Sequence, residues 1–247
     1  MSTPRLVTIP YSHYCEKARW ALERGNATFV EEMHAPLFAW RGALGAGGKR
    51  TVPVLATDDG VISQSTDVLR WVDAHARPPE PYFPRNAPDV ESLVATFDRK
   101  LGPATRRIAY FHVLGADRDY AHEVLTKDVP AWEARLVRRL GPVIPRLIRF
   151  GLKIDEAGVA RSKVALDEVL VAMNERLADG RTTLTGDAFT AADLTFAALA
   201  APVVLPPTYV QRLGGEGRLP RALIAIRDEM LATRAGAFAM RIYERYR

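Results

Sequence analysis

Apolar positions in the first part of the chain switch between strand and helix spacing, while beyond residue 89 they keep helix spacing almost throughout. "RLVTI" (residues 5–9) reads as a short β-branched strand. Over residues 14–24, Cys15, Ala18 and Leu22 fall on one helical face, and Gly25 with Asn26 supplies the stop. "TFVEEMHA" predicts a second strand, and "RGALGAGGKR" a glycine-rich loop. "VPVLAT", "DDG" and "VIS" predict a hairpin turning at Asp59-Gly60. A second helix starts at Ser65, a residue type suited to capping, with Val68, Leu69 and Val72 as its apolar stripe. Strand, helix, strand, loop, hairpin and helix thus fill residues 1–78.

"RPPEPYFPRNAPD" follows, with five prolines in 13 residues, a composition that resists regular structure. Residues 79–89 are therefore expected to connect an α/β unit to an all-helical unit spanning 90–247. Expected helices cover 90–114, 119–139, 144–152, 155–178, 190–204 and 221–233. Thr190 with Asp193 three residues on forms a capping box ahead of Leu194, Phe196 and Leu199, and Phe189 with Leu194 can staple it. That motif is structural.

Composition narrows the function classes. A hydrophobic fraction of 48% with 26% charged residues is that of a globular protein, and 247 residues suffice for a full core. No uncharged apolar run is long enough to span a bilayer, and the start shows no signal-peptide pattern. A single cysteine excludes an internal disulfide framework and points to a reducing, cytoplasmic compartment. Lys and Arg exceed Asp and Glu by 34 to 29, spread along the chain, which suits small anionic ligands. Without zinc-finger spacing, RNP-type aromatics or a dense basic block, nucleic acid is not expected as a partner. Residues 135–153 stand apart, with six basic residues, two prolines and no acid. This stretch could be a lid over a pocket, a basic amphipathic surface for anionic membranes, or a broken solvated helix.

Candidate chemistry gathers near the N-terminus. In "YSHYCEKARWAL", Ser12 sits where a strand gives way to a helix, so its hydroxyl could cap the helix or donate to a bound thiolate. Cys15 occupies the second thiol position of a C-x-x-C whose first member is serine, which rules out two-thiol exchange and favours a packing role. His13 is expected at an exposed turn. In "RTVPVL", Pro53 follows a loop and opens an apolar strand, so the Val52–Pro53 bond could be cis, turning the Val52 backbone toward an extended peptide, or an ordinary trans bond. In "QSTD", Ser65 and the first helical amides could hold a carboxylate or merely cap. Lys49 and Arg50 are candidate cations for another carboxylate.

In order and spacing these segments resemble the cytosolic glutathione S-transferase superfamily along nearly the whole chain. "SHYCEKARWAL" is similar to the S-x-x-C-R-type stretch of serine-using theta and delta classes, "RTVPVL" to the cis-proline motif, and "QSTDVLRWV" to the segment that binds the γ-glutamyl end. "GDAFTAADLTF" closely resembles the capping-box and staple motif of the helical domain. Tyr14, Thr66 and Asp67 depart from the family pattern, and residues 100–165 are longer than usual. The resemblance implies a thioredoxin-like N-terminal domain, an all-α C-terminal domain and glutathione as co-substrate, with no metal or redox cofactor. Ser12 would stabilise the glutathione thiolate, Val52 and Pro53 would meet the cysteinyl unit, Gln64 and Ser65 the γ-glutamyl end, and Arg50 or Lys49 the glycine carboxylate. A hydrophobic electrophile would lie near Tyr14, Tyr110, Phe111 and His112, and the protein would form a homodimer. A glutathione-dependent lyase, isomerase or peroxidase, or a non-catalytic binding module, are the alternatives on this scaffold.

Overall fold

The computed structural model describes residues 2–247. Its N-terminal part is a four-stranded sheet in the order β2-β1-β3-β4, built from β1 (Arg5–Thr8), β2 (Val30–Met33), β3 (Val54–Thr57) and β4 (Gly60–Ile62). β1 runs parallel to β2 and antiparallel to β3, with Leu6 opposite Leu55 and Val7 opposite Val54. A parallel β1–β2 pair needs a crossover, which α1 (His13–Arg24) provides. α2 (Phe38–Gly45) precedes β3, and α3 (Ser65–His75) closes the unit.

Two local expectations fail here. The glycine-rich stretch is helical as far as Gly45, because Ala39 and Ala43, one turn apart, bury against the sheet. In the hairpin, Gly60 pairs with Thr57, so the turn residues are Asp58 and Asp59. Gly60 takes φ of 137°, a conformation open to glycine, and begins the returning strand.

No helix or strand occupies residues 79–88. Beyond them α4 (Asp89–Thr96) continues through a π turn (Phe97–Leu101) into α5 (Gly102–Gly115). α6 (Arg118–Thr126), α7 (Ala131–Leu140) and α8 (Val143–Gly151) follow as short helices. The expected single helix over 119–139 is two, because Asp128 takes a positive φ and Pro130 cannot continue a hydrogen-bonded turn. α9 (Glu156–Arg176), α10 (Ala191–Val204), α11 (Pro207–Arg212), α12 (Arg221–Leu231) and α13 (Arg234–Tyr246) complete the chain. α11 and α13 lie outside the helices expected from periodicity.

α10 is buried along its entire length and forms the axis of the helical part. Its start is fixed as the sequence predicts: Asp193 accepts from the amides of Thr190 (2.9 Å) and Leu184 (2.7 Å), while Thr190 accepts from Ala192. Phe189, one residue before the cap, and Leu194 are both buried.

α1 is wedged between the sheet and the helical part, so its polar face is buried as well as its apolar one. Glu16 accepts from Arg19 (2.6 Å) and Arg247 (2.6 Å), and Arg19 continues to Glu31. Burial alone would push the Glu16 carboxyl up, yet the charges of Arg247 and Arg19 win and hold it below the usual carboxylate range. Trp20 donates to the carbonyl of Tyr246 at 2.9 Å, so the end of α13 locks against α1.

Candidate active site

Ser12 is the N-cap of α1, with extended backbone and its Oγ accepting from the Cys15 amide at 3.4 Å. Capping engages a lone pair of the oxygen and does not consume the hydroxyl proton, so the capping and thiolate-binding roles are compatible. The unsatisfied amides and dipole at this helix end favour negative charge there. Cys15 is fully buried and does not line the cavity that Ser12 faces; burial pushes its thiol up to about 11, opposed by a hydrogen bond with the Ser12 side chain. A thiol in that state is inert toward nucleophilic chemistry near neutral pH.

Ser12 opens onto a cavity of about 310 Å³. One wall brings Ile9, Tyr14, Arg50, Thr51 and Val52 together; Arg106 and Tyr110 come from α5. The opposite wall is apolar: Leu37 and Trp40 from the α2 region, and Leu147, Ile148 and Leu152 from α8 and its end. Val52 and Pro53 are joined by a cis peptide bond. The Val52 amide and carbonyl make no hydrogen bond among the described residues, leaving an open rung beside Ser12.

The aromatic side chains have distinct states. Tyr14 donates to the carbonyl of Asp98 (2.8 Å) in the π turn, where the widened helix frees acceptors. It lies so close to α5 that a Cβ on Gly102 would overlap its hydroxyl. Burial raises the Tyr14 phenol well above its ordinary value, opposed by the Arg106 charge. Tyr110 is likewise pushed up, to about 12, mainly by burial, and stays a neutral donor. His13 is buried, not exposed as expected; its Nε2 lies 2.9 Å from the Gly102 carbonyl, and burial with the Arg106 charge lowers it to about 3. A ring so hard to protonate and so enclosed is no general base for the cavity.

α3 starts next to this region, one residue earlier than a Ser65 cap would require: Gln64 is the N-cap and makes no side-chain capping bond. Ser65 is buried, and neither its amide nor its hydroxyl has a partner among the described residues. Thr66 and Lys17 explain themselves together. Lys17 Nζ, fully enclosed, donates to Thr66 Oγ1 (2.6 Å) and to Asp98 (2.8 Å), tying α1, α3 and the π turn. Burial lowers the Lys17 ammonium to about 8, with Asp98 opposing the shift.

Residues 6–80 match the family model for the glutathione S-transferase N-terminal domain. Among solved structures, the whole chain superposes on a glutathione transferase of Phanerochaete chrysosporium with a TM-score of 0.63 at 17% identity, covering 100% of this chain and 98% of that one. Poplar glutathione transferase F1 gives 0.55 at 15% identity, with 99% of each chain covered. Residues 6–80 thus carry a glutathione S-transferase N-terminal domain, and the whole chain has the glutathione transferase fold. A third relative, a glutathione S-transferase of Methylobacterium radiotolerans in complex with glutathione sulfonate, gives 0.53 at 16% identity over 97% of this chain and 95% of that one. No curated protein matches the chain.

On the glutathione transferase scaffold, the structure gathers Ser12, Tyr14, Arg50, Val52 and Tyr110 around one cavity. Other expected residues stand apart from it. Lys49 is exposed, and Phe111 and His112 lie outside the lining, Phe111 beneath the Arg149 guanidinium (5.4 Å) and edge-on to His112. They sit on other faces of α5 from Arg106 and Tyr110, which are four residues apart and share one side. Pro53 is buried beneath the rung that Val52 exposes, and Gln64 and Ser65 stand at the start of α3. Arg106 and Trp40 join the site without a sequence expectation: Arg106 stands on the Tyr110 face one helical turn earlier, and Trp40 lies on α2 just ahead of the stretch expected as a glycine-rich loop. α8 forms part of the cavity wall, as a lid does. A larger concavity of about 600 Å³, lined by Asn26, Trp71, His75 and neighbours, contains neither Ser12 nor Val52.

Proposed function

We propose that this chain is a serine-type glutathione S-transferase, which ionises the thiol of glutathione at Ser12 and delivers the thiolate to an electrophile held in the adjoining cavity. The single observation behind this reading is the juxtaposition of a helix-capping hydroxyl and an unpaired backbone rung at Val52 on the wall of one cavity. Glutathione sulfonate occupies the Methylobacterium relative, which supports glutathione as the ligand here. In this reading the cysteinyl unit pairs with Val52 above Pro53. The γ-glutamyl end meets Gln64 and the free amide and hydroxyl of Ser65. Arg50 faces the glycine carboxylate, with Lys49 behind it.

The Ser12 hydroxyl donates to the sulfur, and the α1 dipole adds to it; lowering a thiol pKa by about two units corresponds to roughly 2.7 kcal/mol of preference for the thiolate. Sulfur then attacks the electrophilic atom of the second substrate, forming the thioether as the leaving group departs or the π bond opens. Arg106 and the neutral Tyr110 phenol stabilise negative charge that develops on the substrate during this step. The apolar side formed by Leu37, Leu147, Ile148 and Leu152 fits a hydrophobic body. A homodimer in the cytoplasm is the assembly and location proposed with it.

Thiolate absorbance in the ultraviolet on addition of glutathione tests the mechanism. The signal is expected near neutral pH in the native chain and is expected to vanish in Ser12→Ala while glutathione still binds. Binding without any ionised thiol in the native chain would leave a ligand-binding module instead.

A further inference from the structure

α7 and α8 each carry an apolar stripe on the side that faces solvent. Trp132, Leu136 and Leu140 follow one another at four-residue spacing on α7, and all are exposed. Val143, Leu147 and Phe150, spaced by four and then three residues, are likewise exposed on α8 while Ile144 and Ile148 serve the core. Phe150 is 86% exposed, an extreme value for a phenylalanine. Exposed apolar groups in such continuity mark a contact surface, not random scatter.

The charges around these stripes are equally one-sided. Arg135, Arg138, Arg139, Arg146, Arg149 and Lys153 have no acidic partner among the described residues, and residues 135–153 contain no carboxylate. The stripes reach the cavity. Trp40 and Leu147, 46% and 49% exposed, belong both to its lining and to the outer surface, and Phe38 beside Trp40 packs edge-on against Trp132 at 5.3 Å. We infer that the outer faces of α7 and α8, with the Trp40 rim of α2, dock on an anionic phospholipid bilayer, so that the cavity mouth opens at the membrane surface.

Two physical points select this occupant. Interfacial helices combine an apolar stripe containing Trp, Phe and Leu with flanking Arg and Lys, which is the composition found here. A second copy of the chain fits worse, because a two-fold contact through this face would set the same six cations against one another. A bilayer bearing acidic headgroups neutralises them instead. A lipophilic substrate dissolved in that bilayer would meet the cavity without crossing water. The docking itself is independent of the chemistry proposed at Ser12.

Co-sedimentation with phosphatidylcholine vesicles, with and without phosphatidylserine, tests the inference. The full chain is expected to pellet with phosphatidylserine vesicles at low salt, and to be released by high salt. Arg138→Glu with Arg139→Glu should weaken binding by about tenfold or more, since each basic residue contributes on that scale near an acidic surface. Val143→Asp with Phe150→Asp should abolish it. Val164→Asp, an exposed apolar position on α9, is the matched control and should bind as the native chain does. Circular dichroism identifies any variant that has failed to fold, and for the α8 pair the single change Phe150→Ser then takes its place. Absence of binding at low salt, equal binding by the folded Phe150 variant, or equal binding to neutral vesicles would each overturn the proposal. So would a lipid-free dimer that Phe150→Asp dissociates, which would make this face a protein interface.

Discussion

The two walls of the cavity are held in opposite ways. The thiol wall rests on α1, whose charged residues are themselves buried in closed networks: Glu16 with Arg19 and Arg247, and Lys17 with Thr66 and Asp98. The lid wall, α8 with α7 packed against it, meets the N-terminal unit through one polar clasp among the described residues. Glu133 of α7, fully buried, accepts from the Ala35 amide (2.8 Å) and pairs with His34 Nδ1 (2.6 Å), whose Nε2 lies 2.8 Å from Glu32. Most of the remaining lid surface is exposed and apolar. In the proposed mechanism, position at the reacting atom therefore depends on a rigid, multiply tied helix, whereas the wall proposed to meet the second substrate hangs on a titratable latch. Breaking one wall should leave the other readable, which makes the contrast open to experiment.

The largest expected effect is on the thiol wall. Asp98→Ala removes the carboxylate facing Lys17 and strands a buried ammonium beside a hydroxyl alone. Breaking such a pair costs about 3–5 kcal/mol, moderated here because the Lys17 proton can be lost. Urea unfolding measures it, and a loss below about 1 kcal/mol would show that the network is not what fixes α1. Next in size is Ser12→Ala, expected to lower kcat/KM about 100-fold through the lost thiolate, the same roughly 2.7 kcal/mol read kinetically. Glutathione affinity should change far less, because the Val52 rung and the start of α3 are untouched. A fall in affinity equal to the fall in rate would mean that Ser12 only binds.

The lid latch predicts a smaller, pH-dependent effect. Burial works against the His34 imidazolium, but the hydrogen bonds and charges of Glu133 and Glu32 prevail, so its pKa is raised above 6.5. A group raised on folding contributes stability that is complete below the unfolded value and is lost as pH rises through the folded one. His34→Gln is thus expected to cost about 1–2 kcal/mol at pH 6 and progressively less at higher pH. Melting curves across that range check the sign. Because α8 lines the side proposed for the electrophile, the same variant should raise KM for the second substrate and spare glutathione binding. An equal loss at every pH would remove the latch from the comparison.

What the sequence discloses follows the same division. Ser12, the Val52–Pro53 pair and the Thr190–Asp193 box are local motifs confined to a few neighbouring residues, and such features are legible along the chain; the cap expected at Ser65 is not formed. The buried charges of α1 are not. Lys17 and Asp98 are 81 residues apart, Glu16 and Arg247 231, and helical periodicity assigns both Glu16 and Lys17 to solvent. α2 was hidden because glycine spacing outweighs two buried alanines in any local reading. Arg106 was missed for a related reason: a lone arginine on a long helix acquires meaning only once Tyr14 and α8 close a cavity around it.

The smallest expected effect separates two residues one helical turn apart. Cys15→Ala removes a sulfur from a fully buried site and should cost about 1 kcal/mol of stability, on the scale of a small cavity. It should leave the thiolate signal and the turnover intact, since the Cys15 side chain does not line the cavity and its thiol ionises only near 11. Ser12 stands three residues earlier on the same helix, with its hydroxyl on the cavity wall. The pair of variants therefore assays orientation at the α1 N-terminus directly: one is expected to affect folding with little effect on rate, the other rate with little effect on folding. Rapid loss of turnover in Cys15→Ala, with Ser12→Ala active, would reverse their roles and make the cysteine the working sulfur of a monothiol enzyme.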